Sequence, residues 1–163
     1  MKVFVAAAFA LWLLTVPTVA AAQEAVFVVR HAERADTSSD SPLSAAGQSR
    51  AVRLGEILKS VGITQIYTTT LRRTVQTAAP LAAALRVTPT ELPVGDLDAL
   101  LARLHAATPN DRVLVVGHSN SVPEILQRLG VTTPVTIGDA EYDNLFIAIP
   151  QKGAATLFVR LSY

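Results

Sequence analysis

Two of the chain's three histidines follow short apolar runs of the kind that forms buried strands. Arg30 and His31 come directly after the run at 25–29, and His118 follows the run at 113–116. Ligands of open α/β sheets bind at the carboxyl ends of the strands. The two imidazoles would therefore share one crevice if the two strands are neighbours. Alternatively, each histidine only hydrogen-bonds its own loop.

A third polar element also follows a predicted strand, at 63–69. If Thr70 caps the next helix, Arg73 lies in its first turn, where free backbone N–H groups and the positive end of the helix dipole point outward. An arginine there is unfavourable for the helix itself, and a bound anion would offset this. Phosphate matches the guanidinium fork in a bidentate manner. The alternative is that Arg72 and Arg73 lie on a solvated helix surface.

Strands and helices alternate along the rest of the chain. This alternation predicts a three-layer α/β/α sandwich with a mostly parallel sheet. We expect an antiparallel strand near the C-terminus, because the connection at Gly153 is too short to contain a helix. The predicted strands cover 25–29, 63–69, 113–116, 145–149 and 156–161, and the helices begin near Ser44, Leu71, Asp96 and Val122.

Local signals add detail to this outline. Ser44 is a plausible N-cap of the first helix, which we expect to bury Ile57 on its apolar side and to stop at Gly62. The second helix should bend or end around Pro80, since proline removes a helical hydrogen bond. Two prolines and a glycine predict an irregular connection over 87–95.

The first 22 residues differ from the rest. Lys2 precedes an uncharged apolar run from Val3 to Ala22 that ends in small residues. This pattern predicts a signal peptide at 1–22 and a single exported domain at 23–163, periplasmic or secreted. The alternative is an uncleaved membrane anchor, because twenty apolar residues can just span a bilayer.

Composition narrows the classes of partner. The formal net charge is +1, and it falls to zero once Lys2 is removed, which leaves 13 basic and 13 acidic residues. A nucleic-acid partner would require a basic excess, so we expect none, nor stable membrane association after signal cleavage. The chain has no cysteine, which excludes disulfides and thiol chemistry. We expect neither a metal nor a cofactor.

Several short motifs occur in a characteristic order along the chain, and together they resemble the histidine phosphatase (phosphoglycerate mutase-like) superfamily. As a set they span nearly all of the predicted domain. The motifs are Arg30-His31-Ala32-Glu33, Pro42-Leu43-Ser44 before Gly47, Arg73-Thr74-Val75-Gln76-Thr77-Ala78, Gly117-His118-Ser119-Asn120 and Glu141-Tyr142-Asp143-Asn144-Leu145-Phe146.

The resemblance implies a metal-independent phosphatase with a phosphohistidine intermediate. His31 would be the nucleophile, and Arg30, Arg73 and His118 would surround the phosphoryl group. Adjacent cations should lower the pKa of His31 and keep it neutral, and they would stabilise the transition state. The substrate would be a phosphorylated small molecule or a phosphoprotein.

Three features depart from the family pattern. The glycine usual after the first histidine is Ala32 here, and the serine-rich approach to the second arginine is Thr68-Thr69-Thr70. The general acid that many members carry between the second arginine and the second histidine has no matching motif; Glu91, Asp96 and Asp98 lie in that interval, and Asp96 reads more readily as a helix cap. Without a strong acid, good leaving groups would be favoured. His105 faces no strand end and is expected on a helix surface.

Two rival functions remain on the same scaffold. One is a non-catalytic module that binds phosphate or a phosphoprotein, and the intact set of arginines and histidines argues against it. The other is a mutase, which must hold an intermediate away from water. The short connections predict no lid, which disfavours a mutase.

Overall fold

A computed structural model describes residues 25–151 and 153–163, and the predicted signal peptide lies outside these residues. The described chain forms one six-stranded sheet and four helices, with the strand order β3-β2-β4-β1-β5-β6. In chain order the elements are β1 (Ala25–Arg30), α1 (Ala45–Leu58), β2 (Gln65–Thr69), α2 (Arg72–Leu85), β3 (Thr90–Leu92), α3 (Leu97–His105), β4 (Arg112–Gly117), α4 (Ser121–Arg128), β5 (Asn144–Gln151) and β6 (Ala154–Ser162).

The centre of the sheet sets the position of the site. β1 pairs in parallel with β4, in a register that aligns Val26 with Val113 and Arg30 with Gly117. All six residues of β1 are buried, which explains its unbroken apolar sequence. Because the two strands run side by side, His31 and His118 follow their carboxyl ends on the same edge of the sheet.

The sheet is covered on both faces, which confirms the predicted α/β/α sandwich. α1 and α2 pack on the face that carries Phe27, Val29 and Leu114. α3 and α4 pack on the opposite face, against Val28 and Val115. β5 pairs antiparallel with β1, and β6 pairs antiparallel with β5, as expected for the C-terminal region.

α1 matches the sequence signals at its start. The Ser44 side chain accepts a hydrogen bond from the Gly47 N–H, as predicted for an N-cap. Leu54 and Leu58 are buried, but Ile57 is 43% exposed, so the prediction that it joins the core was wrong. Helical residues turn by 100° each, which places Ile57 at the edge of the apolar stripe formed by Leu54 and Leu58.

The second helix does not end at Pro80, one of the two outcomes predicted there, and α2 continues to Leu85. Gly55 of α1 explains how this is tolerated. A Cβ atom at Gly55 would lie only 3.3 Å from the Leu81 nitrogen and 3.4 Å from the Pro80 Cβ. The close approach of the two helices buries Leu81 completely, and this packing offsets the hydrogen bond that proline removes.

The predicted irregular connection over 87–95 was also wrong in part. Residues Thr90–Leu92 form β3, which pairs in parallel with β2. Three residues are too short for an alternating pattern to signal a strand, so the pairing depends on β2. His105 ends α3 and is exposed, as expected. Within the described residues, no helix is long and apolar enough to cross a membrane.

Candidate phosphoryl-binding site

The four residues selected from the sequence meet in one open cavity of about 710 Å³ at the carboxyl ends of β1 and β4. Arg30 and His31 are 6% and 4% exposed. The rings of His31 and His118 meet edge to face, with their centroids 5.3 Å apart. Arg73 reaches the same cavity from the start of α2.

The backbone fixes the protonation pattern of His31. Its Nδ1 lies 2.7 Å from the carbonyl oxygen of Ala32. Since a carbonyl can only accept, Nδ1 carries the proton, and Nε2 of the neutral ring keeps its lone pair. The Ala32 N–H in turn donates to Thr77 Oγ1 at 2.9 Å, which ties this loop to α2. The arrangement prepares Nε2 as a nucleophile.

Both imidazoles in the cavity are held neutral. The pKa of His31 is lowered to about 4, chiefly by burial; the Ala32 carbonyl opposes this shift, and the electrostatic influence of His118, Arg73 and Arg30 adds to it. Burial likewise lowers the pKa of His118 to about 4, with smaller contributions from Arg73 and Arg30. The sequence predicted the effect of the cations, but loss of water around the rings is the larger cause.

Arg30 is anchored by backbone rather than by an acidic partner. Its Nη1 donates to the carbonyl oxygens of Gly138, Asp139 and Glu141, at 2.8, 3.0 and 3.1 Å. The guanidinium carbon lies 4.1 Å from the centre of the Tyr142 ring. Carbonyls and a ring orient the cation without neutralising its full charge, so the charge remains available to an anion.

The start of α2 differs from the prediction. The N-cap is Leu71, not Thr70, and it makes no capping hydrogen bond through its side chain. Asp40 performs that function from another loop, because its Oδ1 accepts from the Arg72 N–H at 2.8 Å. The loop after His31 thereby contacts the N-terminus of α2, and no local sequence pattern predicts this contact.

The same loop positions Arg73. Nη1 of Arg73 donates to the Ser39 carbonyl oxygen at 2.7 Å. Burial lowers the pKa of Arg73, and the neighbouring positive charge of Arg34 lowers it further. Like Arg30, Arg73 is oriented chiefly by a backbone carbonyl.

Two guanidinium nitrogens remain without partners. The Nε atoms of Arg30 and Arg73 are buried, and neither has a hydrogen-bond partner within the described part of the chain. Thr68 also lines the cavity, and its Oγ1 is likewise buried without a hydrogen-bond partner in the described part of the chain. Buried donors normally find partners, because leaving one unpaired costs about 1–3 kcal/mol. Both arginines line the cavity, where their positive charges would attract an anion.

Two threonines order the proton on His118. The Thr74 hydroxyl lies 2.8 Å from the Leu71 carbonyl oxygen and 2.9 Å from that of Thr69, so it donates there. Thr69 Oγ1, 2.9 Å from Thr74 Oγ1, must then donate to Thr74. Its lone pair is left for His118 Nε2 at 3.2 Å, which therefore carries a proton. Sequence analysis placed Thr69 in the approach to Arg73 but assigned it no role at His118, since a threonine in a strand carries no distinctive signal.

Several acidic residues line the cavity, and two of them have other partners. Asp96 caps α3, as the sequence suggested, and Asp98 accepts from Arg128 at 2.8 Å. Both line the cavity, whereas Glu91 is exposed and does not. Glu124, in the first turn of α4, lines the cavity as well and lay outside the interval searched in the sequence.

A second network supports the loop that carries the nucleophile. Glu33 accepts from Arg50 Nε and Nη2 at 2.8–3.0 Å, and Arg50 Nη1 donates to the Tyr163 carbonyl oxygen at 2.9 Å. Gly47 allows α1 to approach this loop, because a Cβ atom there would lie 2.3 Å from the Glu33 carbonyl oxygen. Within the described residues, no cluster of three or more metal-ligating side chains occurs.

Comparison with known proteins gives a consistent picture. The sequence model of the histidine phosphatase superfamily (branch 1) matches residues 26–94, which include His31 and Arg73. The probable phosphoglycerate mutase GpmB of Salmonella arizonae is 42% identical over 66 residues, which cover 36% of this chain and 31% of that protein. The matched segment thus spans about a third of the length of such relatives.

Solved structures extend the likeness to the whole fold. The protein histidine phosphatase SixA, solved with tungstate, superposes with a TM-score of 0.71 at 24% identity, over 85% of this chain and 96% of that one. The mycobacterial glucosyl-3-phosphoglycerate phosphatase superposes with a TM-score of 0.65 at 15% identity, over 85% and 97% of the two chains. At these identities the likeness establishes the fold.

Proposed function

Because the chain belongs to the histidine phosphatase superfamily, we propose that it is a metal-independent phosphatase that works through a phosphohistidine on Nε2 of His31. Family membership supports phosphoryl transfer of the phosphatase or mutase type. The observation that carries the proposal is the hydrogen bond from His31 Nδ1 to the Ala32 carbonyl, which leaves Nε2 unprotonated in the cavity. A binding module would not need that lone pair.

The first step transfers the phosphoryl group. The Nε2 lone pair forms a bond to phosphorus as the bond to the leaving oxygen breaks, and that oxygen takes a proton from solvent or departs as an anion. The guanidinium groups of Arg30 and Arg73, which line the cavity, stabilise the phosphoryl oxygens as charge spreads over them. The two guanidinium charges perform the work that a metal ion performs in other phosphatases.

The second step returns the enzyme to its starting state. Water attacks phosphorus, the bond from phosphorus to Nε2 breaks, and inorganic phosphate leaves. Asp96 is held as a helix cap and Asp98 in an ion pair with Arg128, and Glu124 and Asp139 also line the cavity. If none of these carboxyl groups protonates the leaving group, the enzyme favours phosphorylated small molecules or phosphoproteins with good leaving groups, such as acyl or histidyl phosphates.

The test is to trap the intermediate. Purified protein is mixed with a ³²P-labelled acyl or aryl phosphate and quenched rapidly without acid. A label that is acid-labile and base-stable is expected in wild type, absent in His31→Ala and retained in His105→Ala, the matched control at an exposed histidine. Activity should survive a chelator. A label on another residue, or turnover by His31→Ala, would refute the assignment of the nucleophile.

Two other outcomes separate the rival functions. Tight binding of phosphate without turnover of any substrate tested would favour a non-catalytic binding module. Transfer of the label from His31 to a second hydroxyl of the substrate, in preference to water, would favour a mutase. The open cavity supports hydrolysis, because several lining residues at its mouth are exposed to water.

We also propose that the domain acts outside the cytoplasm after removal of residues 1–22. The support is the apolar run from Val3 to Ala22 and its small-residue end. N-terminal sequencing of the exported protein should begin between Ala21 and Gln23. Recovery of intact Met1 in the membrane fraction would instead indicate an uncleaved anchor.

A further inference from the structure

The last strand of the sheet carries an exposed apolar stripe that the phosphatase mechanism does not use. β6 forms one edge of the sheet, and among the described residues it pairs only with β5. Leu157, Val159 and Leu161 are 56%, 44% and 48% exposed. They alternate along the strand, so all three point to the same face of the sheet.

Within residues 25–151 and 153–163, this edge lacks the usual protection against pairing with another chain. Natural edge strands are commonly interrupted by charges or proline. The nine residues of β6 contain no proline and a single charge, Arg160. Its Nε donates to Asn144 Oδ1 at 2.8 Å, and its guanidinium lies 5.6 Å from the Phe146 ring, so the charge is turned toward the opposite face.

The backbone pattern shows which groups face outward. The Tyr163 N–H donates to the Asp143 carbonyl oxygen. Antiparallel residues alternate between bonding to one neighbour and to the other. Leu161 and Val159 therefore bond to β5, as Tyr163 does, whereas Arg160 and Phe158 direct their N–H and C=O groups to the open edge.

We infer that the partner of this edge is a second copy of the same chain, paired antiparallel about a two-fold axis at Val159. In that register Leu157 lies opposite Leu161 of the copy, and Val159 lies opposite itself. The outward backbone groups of Phe158 meet those of Arg160, so the two arginines do not face each other. The sequence Leu-Phe-Val-Arg-Leu is thus complementary to itself.

Neighbouring registers are poorer. Moving the axis to Arg160 sets the two guanidinium groups directly opposite, and like charges there are destabilising. Moving it to Phe158 pairs Leu161 with Ala155 and loses the contact between leucines. One strand pair is small beside the 1,200–2,000 Å² of a stable interface, so the dimer should be weak and should form only at high protein concentration.

The absence of native cysteine makes a direct test simple. The whole chain is expressed with the single substitution Val159→Cys and oxidised mildly after purification. Opposed residues of this kind lie about 4.5 Å apart at Cα, within the range that a disulfide spans. A disulfide-linked dimer is expected in high yield. Val52→Cys, at a position on α1 that is 53% exposed, is the matched control and should stay mostly monomeric.

Charge substitutions test the register independently. Sedimentation velocity should show association that weakens several-fold in Val159→Lys, which opposes two like charges, and not in Val52→Lys. The double variant Leu157→Lys/Leu161→Glu should associate better than either single variant. In the proposed register the lysine of one copy lies opposite the glutamate of the other. Equal cross-linking of the two cysteine variants, or a monomer at every concentration, would overturn the inference. Binding to lipid vesicles that Val159→Lys abolishes would assign the stripe to a membrane surface instead.

Discussion

Acidification should destabilise the protein through His31 by an amount that follows from its burial. The unfolded side chain has a pKa of 6.5, and burial lowers the folded value to about 4. Between these values the unfolded chain binds more protons, so stability is fully present above pH 6.5 and is lost as the pH falls toward 4. From about pH 7.5 to about pH 4.5, one such histidine accounts for about 2–3 kcal/mol of the free energy of unfolding.

The measurement is urea unfolding of wild type and His31→Asn at both pH values. Other groups titrate in the two proteins alike, so the variant should lose about 2–3 kcal/mol less stability than wild type on acidification. His105→Asn, at an exposed position, is the control and should reproduce the wild-type loss. Equal losses in wild type and His31→Asn, within about 0.5 kcal/mol, would show that His31 is not held neutral by the fold.

Further predictions concern the groups around the nucleophile. Arg73→Ala should lower kcat/KM roughly 30- to 1,000-fold, because a preorganised donor to phosphoryl oxygen is lost. This corresponds to a loss of about 2–4 kcal/mol of transition-state stabilisation, and kcat/KM of Arg73→Lys should lie between those of wild type and Arg73→Ala. Gly47→Ala should cost about 1–3 kcal/mol of stability in thermal unfolding, since its Cβ would meet the Glu33 carbonyl oxygen at 2.3 Å. Thr69→Val should allow His118 to carry its proton on either ring nitrogen, which ¹⁵N NMR detects, whereas Thr69→Ser should keep the proton on Nε2. Unchanged spectra in Thr69→Val would show that Thr69 does not fix the position of this proton.

Much of the fold and of the site could be predicted because the relevant signals are local. The run at 25–29 is apolar because β1 is buried on both faces, and its end fixes the place of His31. Ser44 and Asp96 predict the starts of α1 and α3, because an N-cap residue bonds to a backbone N–H within the same turn. Parallel strands share one carboxyl edge, which is why residues distant in sequence could be assigned to one cavity.

What the sequence alone determined, then, is which residue types follow which strands, and with them the class of chemistry. Only the tertiary structure decided how those residues are held. Three carbonyls orient Arg30, Asp40 caps a helix in place of Thr70, and Thr69 orders the proton on His118. These partners are backbone groups or common polar side chains brought together across the chain. Their energies depend on distance and burial, which a one-dimensional pattern does not contain.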